Sequence, residues 1–175
     1  MAFNCDTFPV LKTQRLTLRE LTLDDANSIL TLRSSEEINQ FVATKRMQSI
    51  EEAKDFIKTC NALYLKEERV FWAITKQEEI LGTIVFHRIS LGAKYAEIGY
   101  KLKTEMQQKG LMSEAIFAVL NFGFEQLNLR TIEAYTHKNN LRSITLLKKH
   151  QFIFQSQRKD PSFEHNLIFK LESNS

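Results

Sequence analysis

The residues whose types and spacing could do chemistry begin at Gln107. The stretch QQKGLMSEA (Gln107–Ala115) sets a single glycine between a polar loop and a long apolar run. The first N–H groups of a helix have no internal partner, and that end of the dipole is positive. A glycine at such a junction either relieves a turn or lets main-chain amides close on an anion. Spacing alone leaves both readings open. Asn140 and Ser143 stand three apart in NNLRSITLLKKH, the pattern of a helix cap followed by a polar first turn. His87, His137, His150 and His165 fall in separate elements, and Cys5 and Cys60 lack the spacing of a zinc site or a disulfide framework. No metal is expected.

The elements that must position these groups belong to an ordinary globular chain. The 175 residues are 43% hydrophobic and 26% charged, with a formal charge of +3. That length suits one domain over residues 1–175, large enough to bury about 70% of its unfolded surface without staples. Acidic and basic residues alternate, so bulk charge points neither toward nor away from nucleic acid. The N-terminus lacks the apolar core of a signal peptide, and no apolar run approaches the ~18 residues of a membrane span. A cytoplasmic location with reduced thiols is the expectation.

RLTLREL (Arg15–Leu21) alternates as a strand, and Asp24 and Asp25 open a helix through about Arg33. Ser49 and Glu52 have capping-box spacing ahead of Ile50, Ala53, Phe56, Ile57, Cys60 and Leu63, which recur at helical intervals. Three strand-like runs follow, Arg69–Lys76, Ile80–Ile89 and Lys94–Leu102, with separators short enough for an antiparallel meander. Beyond Gly110 the helix is apolar over most of its surface and must pack deep against a sheet. Arg130–His137 then reads as a strand, NLRSITLLKKH as a helix, and QFIFQSQRK and FEHNLIFKL as two closing strands joined around Asp160 and Pro161. The tail 172–175 is expected to fray.

Three segments carry a resemblance. KTQRLTLRELTLDDA, AEIGYKL followed by QQKGLMSEA, and NNLRSITLLKKHQF resemble, in that order, signature segments of the GCN5-related N-acetyltransferase (GNAT) superfamily. They look most like its RimJ/RimL branch of ribosomal-protein N-terminal acetyltransferases, over roughly residues 13–171. The resemblance implies an α+β GNAT fold: a mixed central sheet of six to seven strands with a splayed pair, flanked by about four helices. It also implies acetyl-CoA as cosubstrate. The N–H groups of Gln107, Gln108, Lys109, Gly110, Leu111, Met112 and Ser113 would cradle its pyrophosphate, and Gly110 would keep a Cβ out of the way. Met112 departs from the small residue usual there, and Gln151 from the usual glycine before phenylalanine.

By the same resemblance, AEIGYKL splays from the strand RTIEAYTH and offers main-chain groups around Tyr100 and Leu102 to the pantetheine arm, with Gly99 fitting a bulge. Asn140 would add an amide contact. Ser143, near the thioester sulfur, would hydrogen-bond the departing thiolate, and an N–H near the bulge would hold the oxyanion. Glu97 is the candidate general base acting through water, with Glu164 and Asp160 as substitutes. An α-amine near 7.7–8.0 costs about 1–1.4 kcal/mol to deprotonate at pH 7, against about 4.6 for a lysine, so a weak base suits an N-terminal acceptor. The acceptor is thus a primary amine, with a ribosomal-protein N-terminus first among candidates. A polyamine, an aminoglycoside-like amine, and a non-catalytic coenzyme A sensor are the alternatives. No direct nucleic-acid or membrane partner is expected, and either a monomer or a homodimer is compatible. Trp72, Phe86 and Tyr135 read as core aromatics, any one of which could line an acceptor tunnel.

Overall fold

Strand residues that are buried on both faces need a helical layer on each side, and RVFWAITK is such a strand, with every residue from Val70 to Thr75 buried. The computed structural model describes residues 7–42 and 44–173. Its strands are β1 (Leu11–Lys12), β2 (Thr17–Glu20), β3 (Arg69–Lys76), β4 (Glu79–Ser90), β5 (Tyr95–Leu102), β6 (Thr131–His137), β7 (Ile153–Phe154) and β8 (Asn166–Glu172). Its helices are α1 (Ala26–Ser34), α2 (Glu36–Asn39), α3 (Ile50–Leu65), α4 (Leu111–Asn121) and α5 (Leu141–Lys149). The strands form one sheet in the order β1-β2-β3-β4-β5-β6-β8-β7. Neighbours are antiparallel except β5 and β6, which run parallel. The chain has an α+β fold with a mixed sheet.

Two apolar layers hold the sheet. On one face Trp72, Ile84 and Phe86 pack with Ile116 and Val119 of α4. On the other, Phe71 and Ala73 pack with Ile29 and Leu32 of α1 and Ile57 and Cys60 of α3. Cys60 is a free, buried thiol, while Cys5 lies outside the described residues. At the start of α3 Ser49 Oγ accepts from Glu52 N at 3.2 Å, and Glu52 reaches back to the Gln48 N–H at 2.9 Å. Trp72 and Phe86 are core residues, and Trp72 Nε1 donates to the Pro9 carbonyl.

The departures from the sequence reading have local causes. β1 is two residues long and α2 a single turn, too short to show a period, so among the described residues the sheet has eight strands and five α-helices accompany it. The strand expected from Gln151 shrinks to Ile153–Phe154, because Gln151 is left-handed (φ 65) and the chain turns again where Arg158 N donates to Gln155 O. The tail is held further than expected. Glu172 pairs with Thr131, and Ser173 N donates to the Arg130 carbonyl at 2.9 Å, while Asn174 and Ser175 lie outside the described residues.

Candidate active site

The α4 end of the site is built from main chain. Gly110 is the residue before α4, with φ 75 and ψ 1, a left-handed conformation that glycine alone adopts without strain. Gln108 is left-handed too (φ 59). These reversals aim successive amides outward, and the N–H groups from Gln108 through Ser113 meet no acceptor among the described residues. Such a row at a helix head fits a phosphate. The Met112 side chain is only 8% exposed and lies in the core, so it stays clear of any ligand held by the amides. Lys109 is exposed, and its carbonyl accepts from Arg15 Nη1 at 3.0 Å. Arg15 is itself anchored on Glu114 through Nε (2.6 Å) and its main-chain N–H (2.8 Å). Thr13 Oγ1 donates to the same carboxylate. Arg15 and Glu114 thus brace the loop, a role that sequence reasoning missed because they are 99 residues apart. The Ser113 hydroxyl meets His150 Nε2 at 2.9 Å, tying α4 to the end of α5. Burial and Lys149 push the His150 pKa down.

From this loop a gap runs between two strands. The last rung joining β5 to β6 is Glu97↔Glu133, and beyond it the parallel strands part. Lys103 N donates to Leu81 O, so by the alternation of an antiparallel ladder Lys101 and Gly99 bond β4 while Tyr100 and Leu102 turn main-chain groups into the gap. The Leu102 carbonyl is already taken by Gln107 Nε2 (3.2 Å), and Gln107 Oε1 accepts from Arg142 of α5 (2.7 Å). Gln107 therefore spans the mouth of the gap, and Tyr100 keeps the open main chain. At the head of α5 Asn140 Oδ1 accepts from Ser143 N (3.2 Å), which makes Asn140 a helix cap. The Ser143 hydroxyl lies 2.9 Å from Tyr100 Oη. Burial pushes the Tyr100 pKa up to about 12, against the opposing hydrogen bond from Ser143, so the phenol keeps its proton at neutral pH.

The closed end opens onto the α1 face of the sheet as a cavity of about 740 Å³. Glu97, 5% exposed, accepts from Arg88 Nη1 (3.0 Å) and Tyr95 Oη (3.1 Å). His87 lies directly opposite on β4, its Nδ1 3.7 Å from Glu97 Oε2. Burial pushes the His87 pKa down, against the pull of Glu97 and with help from Arg69 and Arg88, so the imidazole is neutral at pH 7. Its Nε2 would lie 3.8 Å from a Cβ on Gly99, at the edge of the gap. Gly99 is not in a bulge: the extra residue falls on β4 between His87 and Ser90, where Arg88 is left-handed (φ 51) and folds onto Glu97.

The remaining sequence candidates are dispersed. Asp160 is occupied with its own turn, accepting from Ser162 N, Phe163 N and Asn166 Nδ2, and Glu164 is exposed at the cavity rim. His137 and His165, from different elements, pack 5.7 Å apart on the same rim, and His137 stacks on Phe41. Tyr135 lines the cavity and donates to Glu133. Among the described residues no group of His, Cys, Asp and Glu is placed to hold a metal, and no helix is long and apolar enough to cross a membrane.

Residues 15–153 match the family model for the acetyltransferase (GNAT) domain. The chain is 37% identical over 147 residues, 83% of each chain, to the uncharacterized N-acetyltransferase YoaA of Bacillus subtilis. It is 28% identical over 119 residues, 66% of each, to the ribosomal-protein-serine acetyltransferase of Escherichia coli. Its fold superposes with a TM-score of 0.84 on RimL, a ribosomal L7/L12 alpha-N-protein acetyltransferase, in complex with coenzyme A. That similarity covers 94% of this chain and 98% of RimL at 19% identity.

Proposed function

The chain belongs to the GNAT acetyltransferase family and is an acyltransferase, and from that premise we propose that it acetylates the α-amine of a protein N-terminus, using acetyl-CoA. The observation that carries the reading is the row of unengaged amides from Gln108 to Ser113, joined through Gln107 to a gap whose main chain is open. Those amides would hold the pyrophosphate, and Tyr100 main chain with the Asn140 amide would hold the pantetheine. Acetyl-CoA supplies a thioester carbonyl; the C–N bond forms as the C–S bond breaks. His87 Nε2, neutral and at the edge of the gap, takes the proton from the amine. Glu97 is already engaged by Arg88 and Tyr95, and we assign it the positioning of His87. The Tyr100–Ser143 hydroxyl pair donates to the departing sulfur. With the bulge on β4, a gap-facing amide of β5 is the oxyanion donor.

Two relatives named for acetylating ribosomal proteins support an N-terminal acceptor. The deprotonation cost, lower by about 3 kcal/mol for an α-amine than for a lysine, supports it independently. The test is thiol release on matched peptides with free or blocked α-amines and varied first residues. Peptides with a free α-amine should turn over and blocked ones should not. Faster acetylation of lysine side chains would remove the N-terminal reading.

A further inference from the structure

Two cations on the cavity wall have no counterion among the described residues. Arg33, in the last turn of α1, stacks its guanidinium 4.1 Å above the Phe56 ring, and its Nε is buried without a hydrogen-bond partner. Lys101 of β5 donates only to the neutral amide oxygen of Asn39, which itself donates to the Leu32 and Ser35 carbonyls. Neither cation makes an ion pair with any described residue. Burial, with the nearby charge of Arg33 adding to it, pushes the Lys101 pKa down to about 8. The other charges on the cavity are engaged or remote. Arg88 is paired with Glu97, Asp160 holds its own turn, and Glu164 is exposed at the rim. Like charges half-removed from water and left unpaired are unfavourable unless something else in the working state neutralises them.

We propose that Arg33 and Lys101 bind a carboxylate of the acceptor, carried on the second or third residue of the N-terminus being acetylated. This rests on the N-terminal reading above. Lys101 follows Glu97 by four residues on one face of β5, a separation of about 13 Å at the rise of a strand. Gly99, beside which His87 Nε2 lies on the cavity wall, is midway. An amino acid's own carboxylate is within about 4 Å of its amine, too near to reach. An extended chain advances at most ~3.3–3.6 Å per residue, which brings the second or third side chain opposite Lys101. The same two charges repel a polyamine.

The experiment compares kcat/KM on peptides with Asp or Asn at positions two and three, using the wild-type chain and the Arg33→Gln/Lys101→Gln variant. A second arm compares an ω-amino carboxylate with the matching alkylamine. Wild type should favour the acidic peptide by about tenfold or more, through KM, and the ratio should fall toward one in the variant. Thermal unfolding checks the fold; loss of unpaired charge should leave Tm level or higher, and Lys101→Gln alone replaces the pair if the double variant does not fold. A wild-type ratio near one in both arms, or a preference that survives in the variant, overturns the proposal. Rejection of every peptide, with an ω-amino carboxylate preference that the variant abolishes, keeps the anion site and removes the N-terminal reading instead.

Discussion

The head of α4 and the cavity on the α1 face of the sheet are built from different material. At α4 the proposed working groups are consecutive main-chain amides, Gln108 to Ser113, and side-chain identity matters little: Lys109 points to solvent and Met112 into the core. In the cavity the proposed working groups are side chains, His87, Glu97, Arg33 and Lys101, from three elements brought together by strand register and helix packing. A main-chain site tolerates substitution except where φ is positive. A side-chain site depends on each residue and on the low-dielectric surroundings that set its protonation.

The largest effect should come from the side-chain end. His87→Gln removes the proposed base and should lower kcat/KM on a free N-terminal peptide by about 10²-fold or more. The pH profile sharpens this. Protonation of the amine lowers activity on the acid side in both chains; because burial lowers the folded His87 pKa below its ordinary value, wild type should show a second limb at lower pH, and the variant should lose that limb. A variant with wild-type kcat/KM would leave the cavity without a base and make the two ends alike.

Next comes the main-chain end. A β-branched residue at φ 75 is strained, so Gly110→Val should rotate the amides out of line and weaken coenzyme A by about tenfold or more in calorimetry, with the fold intact. Unchanged affinity in a folded variant would take the loop out of cofactor binding. Ser143→Ala lies between the two regimes. It removes one hydroxyl from the Tyr100 pair, so kcat should drop a few-fold, about 1 kcal/mol for a hydrogen bond, with a smaller change in KM for acetyl-CoA. A raised KM with kcat unchanged would place Ser143 in binding alone.

How far each end was legible follows from the same difference. Gly110, the cap at Asn140 and the buried face of α4 are local signals, and the meander follows from short separators between alternating runs. His87 read as an isolated strand histidine because its meaning depends on standing opposite Glu97, which the β4 bulge determines. Arg33 and Lys101 were silent for the same reason: a helix and a strand 68 residues apart in sequence carry no joint period. Gln107 was legible as part of the loop but not as the bridge between Leu102 and Arg142, which exists only once β5 and α5 flank the gap.

A last position tests whether backbone geometry alone accounts for a locally legible site. Gln151 ends α5 in a left-handed conformation (φ 65), with Gln151 N donating to Lys148 O at 2.9 Å and Phe152 N to Leu147 O at 3.1 Å. This double bond is the Schellman ending, and glycine is its usual residue because a Cβ is crowded there. Gln151 thus shares its backbone problem with Gly110 but solves it with the wrong residue. Gln151→Gly relieves the Cβ strain and gives back part of the gain as unfolded-chain entropy, for a net stabilisation of about 0.5–1 kcal/mol. In a chain this long that corresponds to a rise in Tm of about 1–4 °C by calorimetry. Gln151→Ala keeps the Cβ and should show no such rise. Ser143 sits at the other end of α5, so kcat should move by less than about twofold. A rise with alanine as large as with glycine would mean that the glutamine side chain, and not its backbone conformation, carries the cost.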